Sequence, residues 1–488
     1  MNRALLCAAL ASGQSTIKNV VYCDDTNYMI SALQKLGVRI QKYPTHVIVF
    51  GRNGKLKSDQ KIYIGNAGTV KRFLTPFGNM VGNQRMSHRP ITDLEKSINE
   101  LRIKNSVKIT GTVSSQFVSS LLMYAPTLGK TVRIQVTGKL VSAPYVQMTI
   151  QVMKQFGVKI IVRNSLFIIR PQSYKPATYT VEGDASSATY WWALAAITGS
   201  HITVPNIPLE TLQPDARFKA LLAKMGCTVK GNTVIGPWEK PLKSITVNMS
   251  DYPDSVLSAA IVMSQAQGTS WISGIDHLRH KETDRLALLK NNLQKLESKR
   301  PSVIETGGDH RFAMAFSILG MPVDNKVCVK KSYPTFWQDY KKIQQQAVKQ
   351  TIVLTGMRGV GKTTYGRNLA KKFNTKFIDT DDHVVFHDGW KKFRLDEHRV
   401  VKKIHSATNT VIATGGGTLM YPRNVKLLKH HYIILMTTPL SIIKKRLVKQ
   451  THRPALTKGH TVLSELSRVW RQRKKKYYAV ADNVYDCR

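Results

Sequence analysis

The sequence predicts an α/β protein in two successive parts: a region of repeated helix–strand units, then a parallel α/β domain built on a phosphate-binding glycine loop. Three observations predict it. The run Gly356-Met357-Arg358-Gly359-Val360-Gly361-Lys362-Thr363 follows the β-type run Ile352-Val353-Leu354 and precedes the helical pattern 367–372. Strand, glycine loop and helix form the context in which GxxxxGK[ST] cradles phosphate. An amphipathic segment ending in glycine and followed by a β-type run recurs at 30–38, 152–158 and 221–227, which reads as a repeated unit with a glycine cap. The 488 residues also exceed what one hydrophobic core supports.

Taken in order, the repeats occupy 1–340 and include a fourth helix, Thr283 to Leu296, without the terminal glycine. The polar stretch 341–350 reads as a terminal helix running into a linker, and 351–488 carries the glycine loop. No apolar run approaches the roughly 18–20 residues of a membrane span. The start, MNRALLCAALASGQSTIKN, soon turns polar, against a signal peptide. Cys7, Cys23, Cys227, Cys328 and Cys487 share no metal or disulfide spacing, so a reducing, cytoplasmic setting is expected.

The formal net charge is +43. Residues 351–488 hold 28 Lys+Arg against 9 Asp+Glu, and the remaining excess is spread over 1–350. Such a balance permits contact with nucleic acid. The densest cluster, Arg471 to Lys476, nevertheless lacks a helix-turn-helix, finger or RNA-binding signature, so nucleic acid is not the expected partner. Anionic small molecules account for some of the charge.

Polar clusters interrupt the apolar pattern of 1–340 and suggest a site between lobes. Arg85 and Arg89 lie four apart before a turn. Lys281 and Arg285 are expected on one helical face with Glu282 beside them, and Asp309-His310-Arg311 precedes the small-residue helix 312–315. Arginine forks and a lysine suit phosphate and carboxylate groups, and carboxylates suit proton transfer. Singly, each cluster also fits a solvated face, a helix cap or a surface ion pair, and Gly65-Asn66-Ala67-Gly68-Thr69 also fits a turn. Their joint presence is the stronger signal.

The passages NRALLCAAL, IGNAGTVKRFLT, RMSHRPI, GTVSSQFVSSLLMYAP, SAPYVQMTIQVMKQFGV, VEGDASSATYWWALAAITG, PDS, RHKETDRL, GDHRFAM and KKSYPTFW resemble, in order, the EPSP synthase family. That resemblance implies two lobes of βαβαββ units, about 2–181 and 182–340, with substrates in the cleft. It implies transfer of enolpyruvyl from phosphoenolpyruvate to the 5-hydroxyl of shikimate 3-phosphate. By motif, Arg3, Ser114, Ser115, Gln116, Ser142 and Tyr145 would hold shikimate 3-phosphate. Asp254 would take the hydroxyl proton, Lys281 would orient that hydroxyl, and Glu282 would serve the enolpyruvyl methylene. Arg89, Arg285, Arg311 and Lys331 would clamp phosphoenolpyruvate, with His310, Gly68 and Thr69 in the same pocket. The family's Lys-Ser loop has no counterpart before Asn2, His277 stands at a usual asparagine, and Pro214 departs from a Gly-Asp pair.

The glycine loop gives a nucleotide-binding set of Gly356, Gly359, Gly361, Lys362, Thr363 and Thr364, in which backbone N–H groups attract phosphate and Lys362 bridges β and γ groups. Asp379 and Asp381 end a second strand, Gly415 and Gly416 end a third, and Arg453-Pro454 lies in a segment suited to a lid. This region resembles shikimate kinase, implying ATP, Mg²⁺ and shikimate as ligands. Thr363 and Asp379 would belong to the Mg²⁺ site, Asp381 would hold the shikimate hydroxyls, and Arg453 would be the lid arginine. Arg394 and Arg473, with Gly415 and Gly416, would complete the shikimate site by pairing its carboxylate. The match runs from about Thr351 to Asp482. It implies a shortened acceptor segment at 382–392, and places the family's last strand and helix beyond the chain.

The expectation is a bifunctional transferase of consecutive steps, resembling the middle of the fungal-type multifunctional shikimate-pathway protein. The alternatives are a weakened or truncated derivative that retains ligand binding or acts as a partner module, and a basic nucleic-acid-binding protein.

Overall fold

A computed structural model describes residues 1–237, 241–297, 302–347, 351–372, 375–384, 386, 389–448 and 461–487. It separates into two compact units, Met1–Asp339 and Tyr340–Arg488.

In the first unit the repeated pattern becomes helix, glycine, hairpin. Helix Asp24–Lys35 buries Met29, Ile30, Ala32 and Leu33, the three-and-four spacing of one helical face. Gly37 follows at φ 85°, where a side chain would be strained, and turns the chain into strand Arg39–Lys42, antiparallel to His46–Phe50. Ala143–Gln155 leads through Gly157 into Ile161–Arg163 and Leu166–Ile169. Phe218–Lys224 leads through Gly226 into Thr228–Lys230 and Thr233–Ile235.

Four-stranded sheets form from Thr178–Thr180, Gln14–Lys18, His46–Phe50 and Arg39–Lys42, and from Ser106–Thr110, Val132–Thr137, Leu166–Ile169 and Ile161–Arg163. A three-stranded sheet forms later from His201–Thr203, Thr233–Ile235 and Thr228–Lys230. Among the described residues no sheet joins strands before 181 to strands after 200, so the unit has two lobes.

The most buried helices are apolar on nearly every side, as enclosed helices must be. In Asn2–Leu10, residues 4–10 are all buried, and Ala185–Thr198 buries Trp191 and Trp192. Ser115–Tyr124, Ala185–Thr198 and His310–Ser317 begin at Ser114, Asp184 and Asp309, whose side chains cap free backbone N–H groups.

One expected helix begins late. The face shared by Lys281 and Arg285 is not helical: Asp284 accepts the N–H groups of Leu286 and Ala287 at 3.1 Å each, and the helix is Arg285–Glu297. Lys281 and Glu282 therefore stand in the loop before it. Helix Phe336–Ala347 occupies the first part of the expected linker, and 348–350 lies outside the described residues.

The second unit is a five-stranded parallel sheet in the order Lys376–Asp379, Thr410–Ala413, Ile352–Thr355, Tyr432–Thr437, Asn483–Asp486. Its central strands are buried apolar runs such as Ile433, Ile434, Leu435 and Met436, as a sheet covered on both faces requires. Strand order reverses beside Ile352–Thr355, creating the crevice where ligands bind open α/β sheets. Asn483–Asp486 corrects the expectation that the last strand lies beyond the chain. The segment pairs with Tyr432–Thr437 from Ile434↔Asn483 to Thr437↔Asp486, and Asp482 accepts the Ile433 N–H at 2.9 Å. Among the described residues no helix is long and apolar enough to cross a membrane.

Candidate functional sites

In the first unit a cavity of about 1120 Å³ lies where the lobes meet. The first lobe contributes Arg3, Thr69, Ser114, Ser115, Gln116, Ser142 and Tyr145, and the second contributes Asp254, Lys281 and Arg311. Arg3 donates to Thr149 Oγ1 at 2.7 Å and to the Tyr145 carbonyl at 3.3 Å. The Gln116 amide is fixed at both ends: Arg72 donates to its Oε1 at 2.7 Å, and its Nε2 donates to Thr69 Oγ1 at 3.1 Å. Ser142, at φ 55°, donates its N–H to the Ser250 carbonyl across the lobes at 3.0 Å.

The opposite wall is an ion-pair network. Asp254, beside helix Val256–Ser264, receives Arg311 at 2.9 Å, Arg285 at 3.5 Å and Lys281 at 3.7 Å. Burial works to raise the Asp254 carboxyl, but Arg311, Lys281 and Arg285 outweigh it and hold it below the usual carboxylate range. Burial likewise works to raise Glu282, and Arg285, Arg89 and Lys331 hold it well below that range. Lys281 is lowered, chiefly by burial. Arg285 itself is buried, donating to Asp309 at 2.7 and 3.2 Å and to Glu282 at 2.8 Å. Asp309 caps the next helix through the Arg311 N–H at 3.0 Å.

The residues expected around phosphoenolpyruvate do not share one wall: Thr69 and Arg311 line the larger cavity, whereas Arg89, Arg285 and His310 are buried outside its lining. Glu282 and Lys331 line an adjoining cavity of about 610 Å³, and Asp25 lines both cavities. Lys331 donates to Asp25 at 2.6 Å and to the Asn66 carbonyl at 3.2 Å. His310 is buried with Nδ1 lacking a hydrogen bond, and burial lowers its pKa to about 3, so it is neutral. Arg89 is buried and its Nε and Nη1 have no protein acceptor. Gly68 lets it sit there, since a Cβ at 68 would meet the guanidinium at 2.3–2.6 Å. A buried guanidinium with unused donors is a receptor for an anion.

Sequence reasoning missed several partners. Asp215 accepts the hydroxyls of Tyr145 and Ser255, and burial and Asp254 push its pKa up. Asp25 and Arg72 carry no signal of their own in the sequence, and Asp309 and Arg85 stand out in it only as members of polar clusters. Of these, Asp309 has the clearer local signature, an acidic residue just ahead of an apolar helix.

In the second unit a cavity of about 1170 Å³ opens on the glycine loop. Gly356, Gly359 and Gly361 take φ of 142°, 77° and 107°. A Cβ at Gly356 would meet the Met436 carbonyl at 2.4 Å, so the loop needs glycine there. Lys362 donates to the Gly356 and Met357 carbonyls at 3.1 and 3.0 Å, curling over the loop. Thr363 donates to Asp379 at 2.5 Å, and Asp379 accepts the Asp381 N–H at 3.0 Å. Thr364, Asp381, Arg394, Gly415, Gly416 and Arg473 line the same cavity. Arg394 donates to both Glu397 oxygens at 2.9 Å and lies over Trp390, Phe393 and Tyr421. Arg473 and the Tyr477 hydroxyl both donate to the Gly416 carbonyl. The expected lid arginine, Arg453, lies outside the described residues. The hydroxyl and carboxylate pair offers the hard oxygen donors that Mg²⁺ prefers, and the glycine loop fits a polyphosphate.

Residues 1–340 match the family described as EPSP synthase (3-phosphoshikimate 1-carboxyvinyltransferase), and residues 358–488 match shikimate kinase. The pentafunctional AROM polypeptide of Schizosaccharomyces pombe is 33% identical over 98% of this chain and 38% of its own length. That of Yarrowia lipolytica is 32% identical over 99% of this chain and 38% of its own length. The chain thus spans well under half the length of these relatives. An EPSP synthase structure from Acinetobacter baumannii superposes with a TM-score of 0.55 at 19% identity, covering 70% of this chain and 92% of that one, a likeness of fold.

Proposed function

Because the chain belongs to the EPSP synthase family over residues 1–340 and continues into a shikimate kinase domain, homologous to pentafunctional AROM polypeptides, we propose a bifunctional shikimate-pathway transferase. The second unit phosphorylates the 3-hydroxyl of shikimate with ATP. The first transfers enolpyruvyl from phosphoenolpyruvate to the 5-hydroxyl of shikimate 3-phosphate, releasing phosphate. The observation that carries the reading is the inter-lobe cleft, where the Asp254, Lys281, Arg311 network shares one cavity with the hydroxyls and amide of Ser114, Ser115, Gln116 and Tyr145.

Arg311, Lys281 and Arg285 direct their charge onto Asp254 and Glu282. Two anionic substrates compete for those cations. As the cations turn to phosphate and carboxylate, Asp254 and Glu282 lose the charges that suppress their basicity, and their pKa values rise. Asp254 then accepts the 5-hydroxyl proton, Lys281 orients that hydroxyl, and Glu282 exchanges a proton with the enolpyruvyl methylene. Arg89, Arg285, Arg311 and Lys331 balance the negative charge that moves to the departing phosphate.

In the second unit Gly356, Gly359, Gly361, Lys362 and Thr364 hold the ATP phosphates, and Thr363 with Asp379 would hold Mg²⁺. When bound, Mg²⁺ offsets charge on the transferring phosphoryl group. Asp381 accepts the shikimate hydroxyl proton, and Arg394 and Arg473 bind its carboxylate. Two variants test the assignment. Asp254→Asn abolishes EPSP formation and leaves ADP release intact, while Lys362→Met does the reverse when shikimate 3-phosphate is supplied. Loss of both activities in either folded variant rejects two separate sites.

A further inference from the structure

Glu282 and Lys281 sit on a loop that no helix or strand contains, yet both must be placed to within a fraction of an ångström. The Lys281 N–H reaches the Leu278 carbonyl only at 3.4 Å, and helical geometry resumes at Arg285. The carbonyls of the two residues are instead held from the first lobe. Arg85 donates through Nε to the Glu282 carbonyl at 2.9 Å and through Nη2 to the Lys281 carbonyl at 3.1 Å.

Arg85 is itself anchored. Asn83 caps helix Gln84–Ser87 by accepting the Met86 N–H at 3.1 Å, and its own N–H donates to the Gly65 carbonyl at 3.1 Å. Gly82 permits that approach, because a Cβ there would meet the Gly65 carbonyl at 2.4 Å. The same Gly65–Asn66 turn receives Lys331 from the second lobe. Two cross-lobe contacts therefore converge here, and Arg285 fixes the Glu282 carboxylate from behind.

We infer that Arg85 is a positioning residue which registers the Lys281–Glu282 loop against the first lobe, so that these two groups reach reacting geometry only when the lobes are together. The inference rests on the enolpyruvyl-transfer reading of the first unit. It requires arginine: a planar fork addresses two consecutive carbonyls at once, whereas lysine offers a single mobile ammonium.

The test compares the full chain with Arg85→Ala and Arg85→Lys. Arg85→Ala should lower kcat for enolpyruvyl transfer about 100-fold, the scale of an ångström misplacement, while KM for shikimate 3-phosphate moves less than about 3-fold. Arg85→Lys should recover part of that loss. Hydrogen exchange in ligand-free protein should rise in peptides covering 276–288, and ADP release by the second unit should be unchanged. A kcat within about 3-fold of the parent, or unchanged exchange across 276–288, overturns the inference. Should the parent chain itself show no enolpyruvyl transfer, the functional reading falls, and the exchange comparison alone decides whether Arg85 holds the loop.

Discussion

Replacing Gly68 by alanine inserts one methyl group between the start of helix Gly68–Leu74 and the Arg89 guanidinium. The new Cβ would lie 2.3 Å from Nη1, 2.4 Å from Cζ and 2.6 Å from Nη2. Ordinary carbon contacts begin near 3.5 Å, so the guanidinium must retreat by about 1 Å. Alanine suits the helix itself better than glycine, and Gly68 does not take a positive φ, so the fold should tolerate the change. The cost falls on the unused Arg89 donors. A displacement of that size costs about 100-fold, or about 2.7 kcal/mol, in an oriented ionic contact. We expect the KM for phosphoenolpyruvate to rise by about 10- to 100-fold while the melting temperature stays near that of the parent. Initial rates of phosphate release at saturating shikimate 3-phosphate measure it. An unchanged KM for phosphoenolpyruvate in a folded Gly68→Ala chain would refute the assignment of Arg89 to that ligand.

Asp309→Asn keeps an oxygen for the Arg311 N–H but removes the charge facing buried Arg285. The first unit should lose about 3 kcal/mol, since breaking a buried pair strands its partner, and a loss under about 1 kcal/mol in urea unfolding would contradict the ion-pair account. Burial keeps His310 neutral down to about pH 3, whereas it protonates near 6.5 when unfolded. The unfolded chain then binds the extra proton, so stability falls as pH drops below 6.5, by about 2 kcal/mol at pH 5. His310→Gln should flatten that slope, and equal slopes in parent and variant would count against it. Asp379→Asn should weaken the Mg²⁺ dependence of ADP release and leave EPSP formation from supplied shikimate 3-phosphate intact. Magnesium titrations of both reactions check this, and an unaltered titration would remove Asp379 from the metal site.

What the sequence disclosed was local. The glycines after Asp24–Lys35, Ala143–Gln155 and Phe218–Lys224 mark backbone turns in a fixed chemical alphabet, and the glycine loop is a contiguous cradle. Polar clusters disclosed Lys281, Glu282 and Arg311 and the resemblance added Asp254; the structure brings Asp254, Lys281 and Arg311 to the cleft and Glu282 to the adjoining cavity. What remained hidden depends on distant chain segments. Asp25 meets Lys331 306 positions away, Tyr145 meets Asp215 70 away, and Arg85 meets Glu282 197 away. No periodicity encodes such pairs. The Lys281–Arg285 helix failed because the side chain of Asp284 competes for the backbone and starts the helix later. Asn483–Asp486 was passed over because a four-residue segment with polar ends shows its strand character only through its neighbour.

The most direct measurement supplies the purified full chain with shikimate, ATP and Mg²⁺, follows ADP, then adds phosphoenolpyruvate and follows phosphate and EPSP. The account predicts ADP release that depends on shikimate, followed by stoichiometric phosphate and EPSP. A demonstrably folded chain that yields neither product would contradict it.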